Sequence, residues 1–276
     1  MFECKETTDK QDVLGILSES FEREFSMDFI EWLGACPTGS NRWFIARDGR
    51  KTIGVYGMLP RKAVLNGYPI RVALANNAGV IRSYRNKNVF IDLGFYATKK
   101  MGLPLYVGSS NLSAVKGHLK VGWSKVAALE LLSGRWDTTD FFPHGFAAYD
   151  YREENFYFDR GFGKSYHNWR YQPCQVYKNT HARYYVCSDT TFGRVIWKMR
   201  NGRKQVVQHD GIRSLVLCCD SKTFDVSVIK GSRLSEILKD RGFKSIVEHY
   251  LVMKPQDDLK IDPYKIRFEP ADNEVF

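Results

Sequence analysis

No apolar run in this sequence approaches the roughly 20 residues that an α-helix needs to cross a bilayer, so no transmembrane helix is expected. The opening residues MFECKETTDK carry mixed charge and no apolar h-region, which argues against a secretory signal peptide and for a cytoplasmic address. No CxxC pair occurs among Cys4, Cys36, Cys174, Cys187, Cys218 and Cys219, and none stands at metal-ligand spacing from a histidine. No metal is expected, therefore, and the thiols are expected to be reduced. No basic block exceeds three residues and no nucleic-acid motif appears, so nucleic acid is not the expected partner.

What the chain does have is length, apolar content and positive charge. Its 276 residues suffice for one large domain or two ordinary ones, and 43% hydrophobic with 14% aromatic residues specify a packed core. The net charge of +10, from 41 basic and 31 acidic residues, has two readings of equal weight. It favours small polyanions such as coenzyme A or a nucleotide sugar, or it is simply a soluble basic surface.

The spacing of Val13, Leu17, Phe21, Phe25 and Phe29 predicts a helix over residues 11–33. Three strands follow (NRWFIARDG, KTIGVYGMLPRKAVL, PIRVALANNAGVI), separated by the hairpin pairs Asp48-Gly49 and Asn66-Gly67. A helix from Val89 to Met101, stopped by Gly102 and Pro104, leads into the strand LPLYVGSS. A turn at Asn111 and a short helix then end at Gly122-Trp123. Antiparallel strands passing into a βαβ segment predict an α+β domain with one parallel pair.

ALELLSGRW and DTTDFFPHGFAAYDY read as a junction between halves. Beyond it SYHNWRYQP, ARYYVCS, TFGRVIWKMR, KQVVQHDG and SLVLCCD read as strands, SRLSEILKDRG as a helix, and FKSIVEHYLVMKP and YKIRFEP as strands. Leu238-Lys239-Asp240-Arg241-Gly242-Phe243 echoes Leu119-Lys120-Val121-Gly122-Trp123, which hints at a duplicated unit.

The stretch from Asn76 to Trp123 resembles the core of the Gcn5-related N-acetyltransferase (GNAT) superfamily. That family pattern runs strand, Arg/Gln-x-x-Gly-x-Gly/Ala, helix, strand, Asn-x-x-Ala-x-x-x-Tyr, Gly-Phe. Here its first part is Tyr84-Arg85-Asn86-Lys87-Asn88-Val89-Phe90 and its second runs from Asn111 to His118, followed by Gly122-Trp123. Asn88 and Phe90 stand where the family carries glycine and a small residue. Asparagine tolerates left-handed backbone, which keeps the turn open to it. NWRYQP and FEPADNEVF resemble the C-terminal halves of tandem-GNAT acyltransferases.

The resemblance implies two tandem GNAT-like domains, residues 1–135 with an acyl-CoA groove and 136–276 contributing acceptor binding. Each would be a mixed, mostly antiparallel sheet flanked by helices. It implies an N-acyltransferase using acyl-CoA as co-substrate, acting as monomer or homodimer on small molecules. Ala78, Gly79 and Val80 would lie beside the pantetheine arm. The Ala78-Gly79 pair suits close approach of a ligand or an ordinary bulge. Arg85, Asn86, Lys87, Asn88, Val89 and Phe90 would hold the pyrophosphate through main-chain N–H groups at a helix N-terminus, with a phosphate contact from Arg82, Arg85 or Lys87.

Asn111 would face the pantetheine, or only cap its helix. His118 would protonate the leaving thiolate, since its usual pKa of about 6.5 suits that task. The strand ALANNAGV offers no carboxylate, so Asn77 or Asn76 would orient a water to relay the amine proton. Asp137, Asp140 and His144 would reach the site from the junction loop, as the base in place of that relay or to bind the acceptor, or serve as turn and cap residues there, which leaves the base unassigned. Trp169 and Arg170 would stack on and neutralise a nucleotide, or belong to a sheet core. The acceptor implied by analogy is a nucleotide-linked amino sugar of bacterial surface polysaccharide, such as a dTDP-3-amino-3,6-dideoxyhexose. Another amine, or ligand binding without catalysis, are the alternatives.

Overall fold

The computed structural model describes residues 2–136, 155–159, 163–171, 184–190, 192–218, 223–255, 261–262 and 265–268. Asp137, Asp140 and His144 lie outside them, as do Cys174 and Cys219. The chain opens with β1 (Glu3–Thr7), hidden in a mixed-charge segment because it is an edge strand, where charge is favoured. The single helix expected over 11–33 is two. α1 (Lys10–Phe21) starts at Asp9, whose carboxylate accepts from two backbone N–H groups, and stops at Glu22 in a left-handed conformation. Ser26 then caps α2 (Met27–Gly34).

The next three strands follow the expected meander: β2 (Arg42–Asp48), β3 (Lys51–Leu65) and β4 (Tyr68–Val80). Asn66 and Gly67 both take positive φ, 52° and 82°, as a primed hairpin turn requires. α3 (Val89–Met101) crosses over to β5 (Leu105–Ser110), which pairs parallel to β4 as expected. α4 (Leu112–Lys120) follows, and then β6 (Ser124–Gly134), which takes up ALELLSG of the segment read as a junction.

The described second half comprises β7 (Phe156–Phe158), α5 (Gly163–Tyr171), β8 (Tyr184–Asp189), β9 (Gly193–Arg200) and β10 (Arg203–His209). A 3-10 segment, Ile212–Cys218, leads to β11 (Phe224–Ile229), α6 (Arg233–Asp240), β12 (Lys244–Pro255) and β13 (Ile266–Arg267). Two expectations fail here. Residues 165–171 of SYHNWRYQP belong to α5, because Trp169 packs against α2 instead of a pleated neighbour, stacking on Trp32 with centroids 4.8 Å apart. Residues 214–218 of SLVLCCD are 3-10 helix and not strand, because Ile212, Leu215 and Cys218 recur every third residue and bury one edge of the segment.

One mixed, mostly antiparallel sheet runs β1-β2-β3-β4-β5-β12-β6-β11-β10-β9-β8, flanked by the helices. Gly54 pairs with Val80 and the adjacent Val55 with Gly79, so the two glycines face opposite sides. A Cβ on Gly54 would meet Val89 of α3, and one on Gly79 would meet Ser20 and Phe21 of α1. α1 and α3 therefore cover opposite faces.

The echo noticed in the sequence is a structural repeat. The unit β4-α3-β5-α4-β6 matches β10, the 3-10 segment, β11-α6-β12, with parallel pairs β4/β5 and β10/β11. Asn111 caps α4 and Ser232 caps α6. After each helix the aromatic residue donates its backbone N–H back to the helix, Trp123 to His118 O and Phe243 to Leu238 O, both at 3.0 Å. Each unit gives its last strand to the other: β6 pairs with β11, and β12 pairs with β5. The ladder β5-β12-β6-β11 thus crosses the 135/136 division of the chain unbroken.

Candidate functional site

β4 and β5 hold together only where Val72, Ala73 and Leu74 meet Leu105, Tyr106 and Val107. Past those residues no ladder joins them, and Ala75–Val80 diverges from Gly108–Ser110. Their facing edges carry backbone groups available to a ligand. A bulge marks the mouth of the split. Gly57 pairs with Asn76 and Val55 with Gly79, so Asn77 and Ala78 together oppose Tyr56. Asn77 sits at φ 45°, and the extra residue redirects the main chain there.

Beyond β4 the 3-10 turn Arg82–Tyr84 leads to a connection in which Asn86 and Asn88 both take positive φ, 70° and 60°. These are conformations that glycine supplies most easily and asparagine next. Asn88 begins α3 without a side-chain cap, so the first N–H groups of the helix remain unclaimed by it. Val89, buried against Gly54, fixes the helix to the sheet.

A groove of about 720 Å³ joins split and turn. Ala78, Gly79, Val80, Arg85, Asn86, Asn88, Val89, Phe90 and Asn111, all expected at a cofactor site, line it. Lys87 does not; its ammonium lies 4.5 Å from the Tyr84 ring centroid. Sequence reasoning missed Ser20 and Phe21 of α1, for which there was no local signal, and Lys116 and Lys120, whose i, i+4 spacing on α4 was visible. Among the described residues of the lining there is no Asp or Glu, and its charged members, Arg85, Lys116 and Lys120, are all basic. Arg85 is partly committed, donating to Val80 O at 3.1 Å and Ser20 O at 3.0 Å. Asn111 caps α4, its Oδ1 accepting from Ala114 N–H at 2.9 Å.

His118 lies behind this wall and not on it. It is 4% exposed, packed between Phe90 and Trp123, with Nδ1 3.2 Å from the Tyr56 hydroxyl. Burial lowers its pKa to about 4, so the ring is neutral at pH 7. The same burial raises the Tyr56 pKa. The expectation of a thiolate-facing acid thus meets a core histidine. Phe90 fits because Gly117 leaves it room, and a Cβ there would come within 2.6 Å of its ring.

On the other side of the bulge stands a buried asparagine ladder. Asn77 Nδ2 donates to Asn76 Oδ1 at 3.3 Å, and Asn76 Nδ2 donates to Asn41 Oδ1 at 2.8 Å. At its ends Asn77 Oδ1 and Asn41 Nδ2 are buried without a partner. Trp169 and Arg170 do not line the groove. The two indoles Trp32 and Trp169 each donate to the other's backbone carbonyl, at 2.9 and 2.8 Å.

No family model and no curated protein matches this sequence. Solved structures do resemble it. A probable N-acyltransferase from Enterococcus faecalis V583 aligns over 92% of this chain and 72% of its own at 9% identity, TM-score 0.61. A Gcn5-related N-acetyltransferase from Anabaena variabilis aligns over 92% and 73% at 12% identity, TM-score 0.63. One from Kribbella flavida aligns over 92% and 72% at 12% identity, TM-score 0.58. With its split sheet, bulged fourth strand and uncapped central helix, the chain has the fold of the Gcn5-related N-acetyltransferase structures.

Proposed function

We propose that this chain is an acyl-CoA-dependent N-acyltransferase. The observation that carries the reading is the groove: a split parallel pair, a bulge and an uncapped helix N-terminus meet in one cavity with no acid among its described lining residues. The N-terminus of α3 and the turn at Asn86 and Asn88 suit a pyrophosphate, with Lys116 and Lys120 adding charge from α4. The open edge of β4 at Ala78–Val80 suits the pantetheine amides, which would add to it as a strand does.

At the bulge a backbone N–H meets the oxygen of the thioester carbonyl as it becomes an oxyanion. The amine nitrogen attacks that carbon, the carbon–sulfur bond breaks, the sulfur leaves with the electron pair and takes a proton, and the amine loses one. Asn77, buried and outside the groove lining, holds the bulged main chain in place rather than meeting the amine. In this reading His118 holds Tyr56 and Phe90 in place and does not meet the sulfur. The acceptor is a primary amine; the compared structures carry no acceptor in their names, and the amino sugar of the sequence expectation gains no support from them.

Calorimetry with coenzyme A and acetyl-CoA tests the donor side. A 1:1 complex is expected, retained by Asn88→Gly and weakened at least about tenfold by Asn88→Val, because a β-branched residue resists φ of 60°. No heat from either ligand at millimolar concentration overturns the reading. Thiol release on adding amines then identifies the acceptor.

A further inference from the structure

Two cations of the groove wall are uncommitted. Arg85 is tied down by Val80 O and Ser20 O, and its Nη2 lies 3.7 Å from Glu22. Lys116 and Lys120, both exposed on α4, make no hydrogen bond, ion pair or ring contact among the described residues. Four residues apart on one helix, they share a face and stand about 6 Å apart along its axis. Like charges at that spacing repel, so the stability of α4 does not account for the pair.

The direction of α4 places them. The helix follows Asn111, next to Ser110 at the open end of β5, where the strands part. Its middle meets the start of α3, since a Cβ on Gly117 would come within 2.6 Å of the Phe90 ring. Lys116 adjoins that contact, and Lys120 lies one turn farther from the split. Along the wall the order is therefore split, start of α3, Lys120. Coenzyme A has its parts in the same order: pantetheine, diphosphate, and a ribose bearing a 3′-phosphate.

The diphosphate has the N–H groups and dipole of α3 to meet it. The 3′-phosphate, a monoester with about two negative charges at neutral pH, calls for a side-chain cation. We propose that Lys120 binds the 3′-phosphate of coenzyme A, with Lys116 between it and the diphosphate, and so makes the groove select acyl-CoA over its 3′-dephospho form. This role for Lys120 depends on the acyl-CoA reading of the groove and names the part of the donor that α4 recognises.

Dephospho-coenzyme A, which differs from coenzyme A by that phosphate alone, isolates the contact. Calorimetry at one ionic strength and pH is expected to show the wild type binding coenzyme A about tenfold or more tightly than dephospho-coenzyme A. In Lys120→Met the preference is expected to fall to about twofold, through lost affinity for coenzyme A with that for the dephospho form kept. Lys120→Arg, which keeps the charge, is expected to retain the preference. Equal affinity of the wild type for both ligands overturns the assignment. So does an equal loss for both in Lys120→Met, which puts that lysine on the diphosphate. If neither ligand binds, the acyl-CoA reading falls and this assignment with it; coenzyme A binding without preference defeats this assignment alone.

Discussion

A histidine at position 118 illustrates how one side chain can sit beside a groove and lose its solvent. Its ring is neutral because burial lowers its pKa to about 4 from an ordinary 6.5. Between those values the unfolded chain binds the proton and the folded chain does not. The stabilisation is therefore complete above pH 6.5 and lost as pH falls towards 4, by about 3 kcal/mol. Urea unfolding from pH 4 to 7 is expected to show that slope in the wild type, and a flatter one in His118→Gln; an unchanged slope contradicts the assignment. The burial was partly legible. Val115 and His118 share a helix face, and Val115 is core, but nothing local says that Phe90 closes over the ring. Asn88 was more readable, since its tolerance of left-handed backbone is a property of the residue itself, and φ of 60° is where the structure places it.

Helices α3 and α4 meet at a contact that neither could keep alone. Phe90, in the first turn of α3, lies over Gly117 of α4, and the pair forms part of the groove wall. Gly117→Ala is expected to destabilise the protein by about 1–3 kcal/mol through overpacking and to weaken coenzyme A binding. Adding Phe90→Leu to that variant is expected to restore much of the loss, a coupling that a double-mutant cycle measures. Strict additivity would refute the contact. Elements with local signals were legible: the Asp48-Gly49 and Asn66-Gly67 hairpins, the α3 crossover with its stop at Gly102, and the cap at Asn111. Elements fixed by distant partners were not. α5 owes its state to Trp32, which is 137 residues from Trp169 in the chain, and β6 is recognisable only beside β11 and β12.

Across the whole molecule, the reciprocal loan of β6 and β12 makes the halves mutually dependent. β12 contacts β5 and β6 along most of its length, placing Val252 in the core of the first half and Leu251 and Met253 in a second core that residues of both halves build. Wild-type protein is therefore expected to unfold in one transition, with far-ultraviolet dichroism and tryptophan fluorescence coincident. A fragment of residues 1–135 is expected to lack the cooperative melt of the full chain. Two separated transitions, or a cooperatively melting fragment, would show the halves to be independent. The split between β4 and β5 inherits this dependence, because β12 pairs along the whole of β5 and fixes one wall of it.

During synthesis the same exchange imposes an order of events. Until residues 244–255 leave the ribosome, β5 and β6 present open strand edges with no neighbour from their own half. A nascent chain in that state invites pairing with other nascent chains, so yield from a cell should depend on how quickly translation reaches Pro255 or on how well chaperones shield those edges until then.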